Sequence, residues 1–186
     1  GYGGRFQEWM YSDDPRPYHS FGNGAAMRVS ACGFVARNME EAKALSRAVT
    51  GVTHDHPEGY KGAEAVTVAI YMARTGSALA EIRKRIDREY YPMDFTLDGI
   101  RATYRFNETC QRTVPQALMA FFESTDFEDA IRNAISIGGD SDTLAAITGG
   151  VAEAYYGVPA ALQAQARGYL DARLTAILDA YEAWRR

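Results

Sequence analysis

Cysteine, histidine and long apolar runs are all scarce in this 186-residue chain, and each scarcity excludes something. The two cysteines, Cys32 and Cys110, lie far apart without C-x-x-C spacing, which argues against a disulfide scaffold or a thiolate zinc site. A reducing, cytoplasmic setting is the expectation. Three scattered histidines offer no ordinary zinc constellation. No apolar run approaches the roughly 18 residues of a membrane-spanning helix, and no basic stretch followed by an apolar one opens the chain, so no membrane partner is expected. Positive charge is also short: 20 Lys and Arg stand against 24 Asp and Glu, spread along the sequence with no basic stripe. Nucleic acid is therefore not an expected partner. Repeats, linkers and low-complexity tracts are missing too, so residues 1–186 read as one domain. The opening Gly1-Tyr2-Gly3-Gly4-Arg5 has no initiating Met and reads as neither helix cap nor signal. It suggests a chain whose beginning has been removed.

What the sequence does have is helical periodicity, from about residue 38 to the C-terminus. Asn38 and Glu41 form a capping box before Met39, Ala42, Leu45 and Val49, a stripe expected to stop before Gly51. A second helix is expected over 58–74, ending at Gly76, and a third, capped by Ser77, carries Leu79, Ile82 and Ile86 and finishes before Pro92. Residues 91–113 read as a long connection with one helical turn near 97–102. Pro115 suits the first turn of a helix bearing Leu118, Phe121 and Phe122. Asp126 opens the next, with Phe127, Ala130, Ile131, Ala134 and Ile135 as its buried face. After Gly138-Gly139 a further helix carries Leu144, Ala145, Ile147, Val151 and Ala154 to Gly157. The C-terminal stretch supplies one or two helices with a stripe of Leu170, Leu174, Ile177, Leu178, Tyr181 and Trp184. The fold class is all-α.

Three short segments can carry chemistry. Gly138-Gly139-Asp140-Ser141-Asp142-Thr143 crowds two carboxylates and hydroxyls beside a glycine pair, the hard oxygen donors that Mg²⁺, Mn²⁺ or Ca²⁺ take. The alternative is that Asp140 or Asp142 only caps the following helix. It is not an EF-hand, because Leu144 and Ala145 fall where that loop needs an oxygen ligand and a glycine. Ser20-Phe21-Gly22-Asn23-Gly24-Ala25-Ala26-Met27-Arg28 sets small residues and an amide beside an aromatic, suited to a phosphate and a stacked base, or else to a plain Asn-Gly turn. Thr53-His54-Asp55-His56-Pro57-Glu58-Gly59 reads as a metal-prone His-x-His or as a loop entering a helix at Pro57, with His54 donating a hydrogen bond.

In this order SFGNGAAMR, THDHPEG and GGDSDT resemble the ADP-ribosylglycohydrolase family, and the likeness runs from about Phe6 to Tyr181. The resemblance implies an orthogonal all-α helical bundle. It implies Mg²⁺-dependent cleavage, at a two-metal site that Mn²⁺ can also serve, of the glycosidic bond joining ADP-ribose to a protein side chain or small molecule. It places Asp140, Asp142 and Thr143 as metal ligands, with Asp140 and Asp142 catalytic. Ser20, Phe21, Gly22, Asn23 and Gly24 become the ADP-ribose loop, Phe21 flanking the adenine, and His54 lies near ribose and phosphate. His56 is left structural. The family's front segments, a glutamate ligand and a Thr-Asp-Asp-Thr run, do not occur here; Asp13-Asp14 sit in another context. The implied fold is therefore incomplete at the N-terminus, about the C-terminal two-thirds of the family's. This chain alone is expected to bind magnesium poorly, to hydrolyse little and to self-associate through an uncovered apolar face. A non-catalytic ADP-ribose or nucleotide binding module, or a structural protein on the same scaffold, is the alternative.

Overall fold

The structure, a computed structural model, describes residues 2–185. Twelve α-helices and one 3-10 turn follow one another, and no strand occurs among the described residues. They are α1 Gly4–Met10, α2 Gly24–Met27, α3 Ser30–Val35, α4 Met39–Gly51, α5 Pro57–Arg74, α6 Leu79–Glu89 and α7 Leu97–Arg101. After the 3-10 turn Cys110–Arg112 come α8 Val114–Phe122, α9 Phe127–Ser136, α10 Ser141–Tyr156, α11 Ala160–Arg167 and α12 Ala172–Arg185. The all-α expectation holds.

Helix α5 is the axis of the core. His56 caps it by accepting the Glu58 N–H on Nδ1 at 3.0 Å, Pro57 occupies its first turn, and the run from Ala65 to Ile70 is wholly buried. A helix apolar on every side must be enclosed, and α2, α3, α4, α8 and α10 pack around it. Phe121, Leu118 and Met119 of α8, and Leu144 and Ile147 of α10, complete the same cluster. No described helix is long and apolar enough to cross a membrane.

Local signals were accurate where the capping atoms are adjacent in sequence. Asn38 accepts from Glu41 N at 2.8 Å and Asp126 from Asp129 N at 2.9 Å, and Gly157 ends α10 at φ +75°. Several expectations are corrected. The short helices α1, α2 and α3 lie before residue 38, where no period of useful length shows. Helix α4 runs through Gly51, and Val49 is exposed beside the buried Ala42. Ala78, not Ser77, precedes α6, and Glu81 supplies the cap by accepting the Ala78 N–H at 3.0 Å. Ile135 is exposed, because the buried face of α9 narrows to Ala130 and Ala134. The expected C-terminal stripe does not form a core: Leu174, Ile177 and Trp184 face solvent, and only Tyr181 of that set packs on the central cluster. Helices α11 and α12 are joined instead by Arg167 with Asp179 and Glu182, a polar clasp with no fully buried residue in α11.

Candidate functional site

Two of the three chemistry-bearing segments sit at N-terminal ends of helices that pack on each other, residues 53–56 before α5 and the 138–140 elbow before α10. The third, residues 20–24, is stitched between neighbours. Ser20 N donates to Thr53 O at 3.4 Å on one side. On the other, Asn23 N donates to Glu108 O at 2.7 Å and Cys110 N to Phe21 O at 2.9 Å. Asn23-Gly24 is thus no hairpin turn; it leads into α2.

All nine predicted residues, Ser20, Phe21, Gly22, Asn23, Gly24, His54, Asp140, Asp142 and Thr143, line one cleft of about 890 Å³. That volume lies within the range of small-molecule and cofactor pockets. The structure joins its walls directly: the buried Asn23 amide donates to Asp140 Oδ2 at 2.6 Å and to Thr113 Oγ1 at 3.1 Å. The capping alternative for Asp140 fails, since it occupies the position before α10 without a side-chain cap bond.

The elbow needs its glycines. Gly138 and Gly139 have φ of +71° and +74°, a region that costs any residue with a Cβ, and a Cβ on Gly139 would lie 2.5 Å from the Tyr104 ring. The turn delivers two carboxylates and the Thr143 hydroxyl to one end of the cleft. Burial raises the Asp140 carboxyl above its usual range, the Asn23 amide opposes this, and a hydrogen bond shared with Asp142 adds to the rise. Like-charged carboxylates crowded in this way are relieved by a divalent cation, and these hard oxygens fit Mg²⁺ or Mn²⁺. Among the described residues no cluster of three or more His, Cys, Asp or Glu could hold a metal. The fit therefore rests on two acids and a hydroxyl, a set that leaves room for the waters magnesium retains.

The cleft also has a cationic lining, Arg5 and Arg28. Arg28 donates from Nε to Gly24 O at 2.5 Å and from Nη1 to Thr53 Oγ1 at 3.1 Å. That oxygen also lies 2.7 Å from His54 Nδ1, and with the Thr53 hydroxyl as donor of this bond the His54 proton is on Nε2. That edge faces the glycine loop, for a Cβ on Gly24 would come within 3.4 Å of Nε2. Burial first, then the charges of Arg28 and Arg5, pull the His54 pKa down to about 4. The imidazole is neutral at pH 7 and presents an N–H donor.

This depression predicts acid sensitivity with a definite sign. Unfolded His54 takes a proton near pH 6.5 and the folded residue only near 4, so stability is full above 6.5 and falls as pH drops toward 4. Denaturant unfolding at pH 7 and pH 5 is expected to show a loss of about 2 kcal/mol attributable to this residue, removed in the H54Q variant.

The cleft also contains residues that sequence reasoning missed. Tyr2, Gly3, Gly4, Arg5 and Phe6 line it, with Phe106, Glu108 and Thr109. The Arg5 guanidinium lies 4.8 Å from the Tyr18 ring centroid and donates to Tyr18 O, and Arg28 stands 5.8 Å from the Phe6 ring. Arg28 had a local signal, four residues after Gly24 on the same helical turn. The 106–109 strip had none, because its place depends on pairing with residues more than eighty positions away. His56 caps α5 and is not among the residues lining the cleft.

The helical scaffold thus carries one cleft lined by aromatic, cationic and acidic side chains. The ADP-ribosylglycohydrolase family description matches residues 3–185, so the chain belongs to that family. ADP-ribosylhydrolase ARH3 of Homo sapiens is 25% identical over 206 residues, covering 84% of this chain and 57% of the relative. ADP-ribosylarginine hydrolase Tri1 of Pseudomonas putida is 26% identical over 157 residues, covering 81% of this chain and 42% of that protein. A solved ADP-ribosylglycohydrolase-related protein complex superposes with a TM-score of 0.68 at 26% identity, over 86% of this chain and 61% of the other. The chain thus spans about half the length of these curated relatives.

Proposed function

We propose that this chain carries the substrate cleft of a Mg²⁺-dependent hydrolase that cuts the glycosidic bond between ADP-ribose and a protein side chain or small molecule. The observation that carries the reading is the combination of chemistries lining one cleft, an exposed aromatic, guanidinium and imidazole groups, and paired carboxylates. Phe21 offers a ring face for adenine. The His54 Nε2–H, Arg28 and the backbone of residues 22–24 meet the diphosphate, where a neutral imidazole and a guanidinium bind without competing for a proton. Asp140, Asp142 and Thr143 face the distal ribose, and they are the residues that would hold the metal. Bound there, Mg²⁺ supplies orientation of the ribose hydroxyls and lowers the pKa of water. The carboxylates balance the positive charge that grows at the anomeric carbon as the bond to the acceptor lengthens; water adds to that carbon, and one carboxylate takes the water's proton and passes it to the departing acceptor atom. Binding energy from the base and diphosphate is thereby used to place the reacting carbon.

The names of the relatives support ADP-ribosyl hydrolysis; one names arginine as the acceptor and the other names none. The lack of a third acid at the described metal end favours one second reading, an ADP-ribose binding module without hydrolysis. Calorimetric titration with ADP-ribose separates the two. Affinity that appears with millimolar Mg²⁺ and falls at least tenfold in chelator supports the hydrolase site; equal affinity in both buffers supports the module; no binding in either removes both. Self-association through exposed apolar surface and a cytoplasmic location also belong to this proposal, and a compact monomer in sedimentation would remove the former.

A further inference from the structure

Phe21 is 41% exposed and lines the cleft, so one flank of its ring is open to a ligand while something else must hold the other. The residues behind it are two histidines from different loops. His56 lies 5.0 Å from Phe21, centroid to centroid, at 53°, and His19 lies 4.8 Å from His56 at 61°. Neither imidazole is among the residues lining the cleft. The three rings form a series that leads away from it.

Both histidines of the series are tied down by hydrogen bonds that a loosely exposed loop would not require. The His56 ring is fixed from one side, because its Nδ1 accepts the Glu58 N–H at the start of α5. His19 has φ +56°, the only non-glycine residue among those described in the left-handed region, a conformation that costs free energy. Its N–H donates to Asp55 Oδ1 at 2.6 Å, and Asp55 directly precedes His56. The strained turn at His19 thus brings its ring against His56 and delivers the chain into Ser20 and Phe21 in the right direction. A surface cluster of histidines without a task would explain the packing and leave the strain unexplained.

We propose that His56, backed by His19, is a positioning residue that holds the Phe21 ring upright as the stacking wall for a purine base. The inference rests on the reading of the cleft as an ADP-ribose site, and it assigns His56 a role beyond the helix cap. Pre-orienting an aromatic wall lowers the ordering cost of ligand binding and leaves the acidic end of the cleft untouched.

Two substitutions divide cap from ring. H56N keeps a good capping oxygen and removes the ring, whereas H56F keeps a ring and removes the cap. H56N is expected to bind ADP-ribose roughly three- to tenfold more weakly with an unchanged melting temperature, the size of an aromatic pair. H56F is expected to melt several degrees lower and to retain wild-type affinity. In the free protein, ¹³C relaxation of the Phe21 ring is expected to show order in wild type and H56F and its loss in H56N, with H19A intermediate. Equal ring order in wild type and H56N overturns the positioning role, as does an H56N affinity equal to wild type. If wild-type protein fails to bind ADP-ribose at all, the proposed function falls, and the ring-order comparison still decides the role of His56.

Discussion

Replacing Asp140 by alanine is expected to abolish the magnesium dependence of ADP-ribose binding and to weaken that binding by about 10- to 100-fold at millimolar Mg²⁺. Asp140 does two things at once. Its carboxylate belongs to the acidic group that would hold the cation, and its Oδ2 accepts the Asn23 amide at 2.6 Å, which ties that group to the 20–24 loop. Asn23 is 6% exposed, so loss of the carboxylate leaves a buried donor with the poorer choice of Thr113 Oγ1 and Asn107 O at 3.1 and 3.5 Å. D140N is the informative partner. It retains an acceptor for Asn23 and removes the charge, so it should keep most of the thermal stability and still lose the magnesium dependence. Calorimetry in magnesium and in chelator, together with melting curves, reads both. A D140A protein whose affinity still rises with Mg²⁺ would move the cation away from the elbow.

Gly59→Ala is expected to cost about 3 kcal/mol and to impair ligand binding together with stability, although Gly59 itself does not line the cleft and packs behind its wall. A Cβ there would lie 2.7 Å from His54 O and 2.8 Å from Ser20 O, both backbone atoms that no rotamer change can clear. The helix, the His54 loop and the Ser20 loop meet at this one position. The extra carbon must push the two loops apart, stretching the Ser20 N–Thr53 O bond and shifting Phe21 relative to His54. Chemical denaturation measures the first effect and ADP-ribose titration of the remaining folded protein the second. G59A with wild-type stability would mean that the loops yield freely, and the cleft would then be softer than its hydrogen bonds imply.

Much of the helical layout was legible because its causes are local. The Asn38 and Asp126 caps, Pro57 and Pro115 in first turns and the glycine at 157 each act within one turn of chain, and the residues concerned sit beside each other in the sequence. The early helices escaped because pieces of four to seven residues present barely one turn of period. The C-terminal stripe misled for a different reason: periodicity reports that a face is apolar and says nothing about whether another element arrives to cover it. Leu174, Ile177 and Trp184 lack that cover, and polar bonds from Arg167 hold the two helices together.

The sequence by itself determined the helix class through local periodicity, and three short runs in a fixed order carried the family resemblance that picks out the nine residues now found lining one cleft. Tertiary structure alone decided how those runs combine. Asn23 reaches Asp140 across 117 positions, Arg28 bonds Thr53, Glu108 pairs with the 20–24 loop, and His56, with His19 beside it, packs on Phe21. Such contacts join residues whose separation along the chain is far longer than any period, and only the packing of α2, α5 and α10 brings them within hydrogen-bonding reach.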